Sequence, residues 1–144
     1  MSGTHLQNPD LRADPLARDA IKDELVDVQF AAGAGALASA VGLNAYAAGD
    51  ALLTGSTGDR WSVSRDRFDA KYRPEAPTVA GQPGRYRNIP VPVRARQIPF
   101  AFTIERSAGG DRLHGEPGDW LLEYAPGDHG VVARARFESV YRLI

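Results

Sequence analysis

The chain predicts an α+β fold dominated by strands. Two tandem homologous β-rich units are expected, each of antiparallel strands closed by a short C-terminal helix, with an extra N-terminal helix and a pseudo-two-fold arrangement. Three observations predict it. The stretch Gly49–Arg73 recurs at Gly118–Arg142 without a gap. Each copy contains a hairpin pattern and then Phe and Tyr at helical spacing. An Asp-Pro helix start precedes the first copy.

The repeat has a constant offset of 69 (118 − 49), and 12 of its 25 pairs are identical, among them Gly49/Gly118, Asp50/Asp119, Leu52/Leu121, Phe68/Phe137 and Tyr72/Tyr141. Identity at that density reads as a tandem duplication. Upstream, an offset of 68 aligns Ile21 with Ile89, Leu25 with Val93 and Gln29 with Gln97. The expected organisation is a flexible terminus over 1–14, a helix and first repeat over 15–73, a linker over 74–84 and a second repeat over 85–144. The linker, "PEAPTVAGQPG", holds three prolines and two glycines, a composition that resists regular structure.

Taken in order, "ADPLARDAIKDELVD" predicts a helix capped by Asp14, with Pro15 in its first turn and Leu16, Ala20 and Ile21 in one stripe. Val26–Gly42 begins like a strand and runs into Gly33-x-Gly35-x-x-Ala38, the outline of a dinucleotide-binding loop. The equivalent part of the second repeat lacks that loop, and no room remains for a second βα pair. A small-residue segment permitting close packing is the better reading, and no cofactor is expected. Phe30–Ala48 is left open between strand and helix.

"DALLTGSTGDRWSVS" and "GDWLLEY…APGD…HGVVAR" predict hairpins, the second turning at Pro126-Gly127. Strand alternation then places Leu121 with Val132, and Leu52 with Val63, on the core face. Trp120 and Trp61 fall on opposite faces in that register. Short helices carrying Phe68/Tyr72 and Phe137/Tyr141 follow. In the second repeat, "VPVRARQ" and "FAFTIERS" predict strands, with a turn at "AGGD".

The second repeat contains Tyr86-Arg87, Pro90-Val91, Gln97, Pro117-Gly118-Asp119-Trp120-Leu121 and Phe137-x-x-x-Tyr141. In these motifs it resembles a small uncharacterised Pro-Gly-Asp-Trp-Leu type β-rich domain found in phage-type and actinobacterial proteins. The resemblance covers most of 85–144 and, through the repeat, 21–73. It implies a β-rich fold and brings no catalytic residue.

Composition narrows the function classes. The net charge is −1, with 24% charged residues and no cysteine. That balance predicts no polyanion-coating surface, and thiolate chemistry is excluded. The polar N-terminus carries no signal-type apolar core, and the Ala/Gly-rich run Phe30–Leu43 is short of the roughly 20 residues that span a bilayer. A cytoplasmic protein without a membrane partner is expected.

The leading functional expectation is a non-catalytic binding module, built as a fused pseudo-dimer, whose partner is another protein. Trp61, Trp120 and Tyr124 are its candidate anchors. The alternative is weak nucleic-acid binding through Arg85, Arg87, Arg94 and Arg96, an Arg-rich stretch without an acid. A second alternative is a small metal-dependent or acid/base enzyme using His114, His129, Glu116 and Asp119. Asp50 and Asp119, each following a glycine, are expected to bond backbone amides at turns rather than to act on a substrate.

Overall fold

The computed structural model describes residues 3–39, 42–107 and 110–144. Among the described residues strands take up 49% and helix only 10%. The class is therefore β-rich, not α+β, and the expected N-terminal helix is absent. In its place Arg18–Lys22 is a strand, and Asp14 Oδ1 accepts from Leu16 N at 2.9 Å in a local turn. The Asp-Pro signal is real, but it caps one turn. Two neighbouring strands then claim the residues beyond it, and sheet pairing outweighs a weak helical propensity. The "AGGD" turn falls partly on Ala108 and Gly109, outside the described residues.

Two compact units divide the chain. One is split in sequence (residues 1–22 and 91–144), and the other, 23–90, is inserted between its halves. The split unit contains β1 (Thr4–Leu6), β2 (Arg18–Lys22), β10 (Val93–Gln97), β11 (Phe102–Glu105), β12 (Arg112–Gly115), β13 (Trp120–Ala125), β14 (Asp128–Val132), α2 (Arg134–Val140) and β15 (Tyr141–Leu143). The inserted unit contains β3 (Leu25–Phe30), β4 (Gly35–Ser39), β5 (Gly42–Tyr46), β6 (Ala51–Thr54), β7 (Arg60–Val63), α1 (Arg65–Lys71), β8 (Tyr72–Pro74) and β9 (Gly84–Asn88). Thr4–Leu6, in the terminus expected to be flexible, pairs in parallel with β11. The Gly33–Ala38 stretch leads into the β4–β5 hairpin, and a Cβ at Gly35 would come within 2.6 Å of Tyr46 Oη.

Each unit has one five-stranded sheet, ordered β14-β13-β10-β2-β15 and β7-β6-β3-β9-β8. The orders match element for element except in origin: β2 comes from the N-terminal half of the chain and β9 from the C-terminal half. Each half lends the fourth strand of the other's sheet. The registers correspond as well. Val28↔Leu53 is answered by Ala95↔Leu122, Val26↔Tyr86 by Val93↔Ala20, and Tyr72↔Asn88 by Tyr141↔Lys22. Val28 thus matches Ala95 at an offset of 67, one less than the expected 68. A one-residue slip exchanges the two faces of a strand.

The cores follow from that register. In the inserted unit Val26, Val28, Ala51, Leu53, Phe68, Tyr72 and Tyr86 are buried together, with Trp61 and Val63 partly buried against them. In the split unit Ala20, Ala95, Leu122, Val132 and Phe137 do the same, with Trp120 and Tyr141 beside them. Leu122 and Leu53, not Leu121 and Leu52, therefore face the helices. In the split unit the cause is a bulge, since pairing shifts between Glu123 and Ala125 and leaves Tyr124 as the extra residue; in the inserted unit Gly55 bonds Asp59 at 2.8 Å, so the turn centres on Thr57, one half-step from the expected register. In both hairpins the glycine before the second strand, Gly58 or Gly127, sits at φ +86° or +77°, the left-handed region that glycine enters without steric cost at a hairpin turn.

Trp61 and Trp120 consequently share the core face instead of lying on opposite ones. Where one hairpin has Ala51 and Trp61, the other has Trp120 and Gly130, so the large ring changes strands while the core volume is kept. Trp120 stacks on Phe137 at 3.9 Å between centroids, and Phe137 on Tyr141 at 4.8 Å. In the inserted unit Phe68 stacks on Tyr72 at 5.1 Å and meets Tyr86 edge-on at 4.8 Å. Burying each such ring stabilises by about 1.5–3 kcal/mol.

Candidate functional site

Alternation along the strands sends every second residue to the face away from the helices. In the split unit that outer face carries Arg94, Arg96, Leu121, Glu123 and His129. At the corresponding register positions the inserted unit carries Asp27, Gln29, Leu52, Thr54 and Arg60. The two faces have the same backbone and different fates.

In the split unit the chain's own residues 9–17 cross the face. Arg94 donates from Nε to the Leu11 carbonyl at 3.2 Å and from its terminal nitrogen to the carbonyls of Asp14 and Ala17 at 3.5 and 3.1 Å. Arg96 bonds the Asp14 carboxylate at 3.0 Å. His129 Nε2 lies 2.8 Å from the Pro9 carbonyl and 3.3 Å from Glu123 Oε2. Both neighbours are acceptors, so Nε2 carries the hydrogen. Arg12 stands 3.8 Å from Glu123 Oε1, and Arg12 holds the Asp10 carboxyl below its ordinary range by a side-chain hydrogen bond. Leu11 is only 1% exposed. The covering segment thus supplies partners to Arg94, to a terminal nitrogen of Arg96 and to His129, while Arg96 Nε and Glu123 Oε1 are buried without a hydrogen bond among the described residues.

In the inserted unit a groove of about 490 Å³ lies over the same positions, lined by Asp27, Gln29, Leu52, Thr54, Arg60 and Gly84 among others. Asp27, Gln29 and Arg60 are exposed and Leu52 is half-buried. Asp27 lies 3.7 Å from Arg85 across the strand pair, the charge-reversed counterpart of Arg94 and Asp19 at 3.2 Å. The hairpin supplying Thr54 and Arg60 is pinned from below. Buried Glu24 accepts from Ser56 N and Oγ, both at 2.9 Å, and donates its own N–H to Asn88 Oδ1 at 2.7 Å. A smaller pocket of about 300 Å³ in the split unit is lined by His5, Glu105, Ser107 and His129 among others.

The predicted site residues are placed as follows. Trp61 and Trp120 pack into the two cores, and Tyr124 is 37% exposed at the hairpin bulge. Arg85 and Arg87 stand on one sheet, Arg94 and Arg96 on the other, so the Arg-rich stretch is divided. Each is paired with an acid: Arg85 with Asp27, Arg87 with Asp23 at 2.8 Å, Arg94 with Asp19, Arg96 with Asp14. His129 is buried against Glu123, while His114 is exposed on β12. Asp119 accepts from the amides of Glu116 and Arg134, both at 2.9 Å, and Asp50 from that of Ala47 at 2.9 Å, the turn role expected of both. Among the described residues no cluster of His, Asp or Glu could hold a metal ion, and no helix is long and apolar enough to cross a membrane.

The groove residues escaped prediction, although a signal existed. Thr54/Glu123 and Arg60/His129 are pairs where the two repeats differ in charge or hydrogen-bonding character, next to hairpin positions that are identical. Divergence on a kept frame marked the two faces.

No curated protein and no solved structure matches the chain. A family model does match, over residues 42–142, which is 101 of 144 positions. With more than two-thirds of its length so matched, the chain belongs to the PGDYG protein family.

Proposed function

We propose that the chain is a non-catalytic interaction module made by tandem duplication, a fused pseudo-dimer that binds another protein through the outer sheet face of its inserted unit. One observation carries this reading: of two equivalent faces, one is covered by the chain's own residues 9–17 and the other remains an open groove. The duplication accounts for the matching registers and the exchanged strands. The phage-type or actinobacterial setting and a cytoplasmic location belong to the same proposal, the latter in keeping with a cysteine-free sequence.

The test is quantitative capture from lysate of the source cells with the intact chain and with its Asp27→Lys variant. A stoichiometric protein held by the first and lost by the second supports the module. Equal capture by both, or none by either, removes it.

A further inference from the structure

The occupied face shows what kind of molecule suits the open one. In the split unit the occupant is a single extended segment. It adds β1 beside β11 and then crosses the sheet, with its carbonyls bonded by Arg94 and His129 and its apolar Leu11 buried. In the inserted unit the counterpart of β11 is β4, whose sheet among the described residues contains β5 alone. Among the described residues no third strand pairs with β4, and the groove lies where the split unit has its crossing segment.

Resting on the module reading above, we infer that the groove takes an extended peptide segment of a partner protein, one that carries a basic side chain where the chain's own N-terminal segment carries Asp14. Leu52, half-buried where Leu121 is fully buried, offers apolar contact to a leucine-sized side chain. Asp27 replaces Arg94, so a face that donated to three carbonyls now accepts, and a basic side chain belongs opposite it. Arg60 replaces His129 and can still donate to a carbonyl, or to an acid in the position of Pro9. Thr54 replaces Glu123, which removes the charge that drew Arg12.

A second copy of residues 9–17 suits this groove poorly. Its Asp14 carboxylate would meet Asp27 and Gln29 at the positions that Arg94 and Arg96 hold on the other face. A phosphate backbone fares no better, since Asp27 stands in the groove beside Arg85.

The experiment uses the full chain and two fluorescein-labelled synthetic peptides read by fluorescence polarisation. One is the native sequence of residues 7–17. The other carries Asp14→Lys. Saturable binding of the charge-reversed peptide is expected, about tenfold tighter than the native one and weakened about tenfold by Asp27→Lys in the protein. Asp27 is exposed, so that variant folds, and circular dichroism verifies it; Leu52→Ser gives an independent second lesion.

Absence of saturable binding, or indifference to both groove variants, overturns the inference. Equal or tighter binding of the native peptide also overturns it and assigns the face to a second copy of this chain. If the peptides fail while lysate capture still depends on Asp27, the extended-peptide inference falls and the module reading stands. If capture is also indifferent to Asp27, both fall.

Discussion

The split and inserted units share strand order, register and a stacked Phe–Tyr pair beneath a short helix, yet their outer faces diverge. In the split unit Arg94, Arg96, Glu123 and His129 are buried or half-buried and bonded to residues 9–17. In the inserted unit Asp27, Gln29 and Arg60 face solvent over a groove. The difference teaches where constraint lies in this architecture. The helix-side core tolerates the movement of a tryptophan from one strand to the next because volume is conserved. The outer face is set by what covers it, so its residues follow the occupant.

The largest expected effects fall on the shared core. Phe68→Ala and Phe137→Ala should each cost about 3–5 kcal/mol, measured by urea unfolding. Similar losses would uphold the equivalence of the two cores, whereas a large loss on one side alone would break it. Next comes the divergent pair. His129→Ala leaves Glu123 buried without its donor and should cost about 1–3 kcal/mol. Arg60→Ala at the corresponding exposed position should stay within about 0.5 kcal/mol. If Arg60→Ala destabilised as strongly, the open face would have a structural role in the free protein.

A third contrast concerns the covering segment. Arg94→Ala should raise hydrogen exchange across residues 9–17 and expose that stretch to proteolysis, since hydrogen bonds to a charged group contribute about 1.5–3 kcal/mol. Arg85→Ala, which breaks an exposed pair in the other unit, should shift stability by less than about 1 kcal/mol.

The smallest effect is at Asp10. Its folded pKa lies below the ordinary 3.8 because Arg12 bonds the ionised form. Its contribution is therefore present above that value and is lost as pH falls through the depressed one. A carbon-13 titration should show the lowered midpoint, while Asp10→Asn leaves the Tm unchanged, as befits an exposed group.

Legibility in the sequence followed locality. The hairpins and the Phe-x-x-x-Tyr helices were visible because glycine turns and a four-residue spacing act within a few positions. The bulge at Tyr124 was not: a run such as "WLLEYAPGD" does not show which residue is left over, and one residue exchanges the faces of Leu121 and Leu122. The strand Arg18–Lys22 was hidden behind a valid helix start, because its partners lie more than 70 positions away. Residues 9–14 looked loose for the same reason, since what orders them is Arg94, Arg96 and His129. The groove was half legible, in the pairs where the repeats part company.

The lending of one strand by each half has a consequence in time. The inserted unit is an uninterrupted stretch, 23–90, and can close as soon as it leaves the ribosome. The split unit cannot: Arg18–Lys22 must wait for both Val93–Gln97 and Tyr141–Leu143 before it has neighbours. Residues 91 to 143 number 53 (143 − 91 + 1), so at ordinary translation speeds the wait is roughly 3 to 11 seconds. Throughout it Arg18–Lys22 keeps at least one edge unpaired, the interval in which a holding chaperone would matter most to this chain.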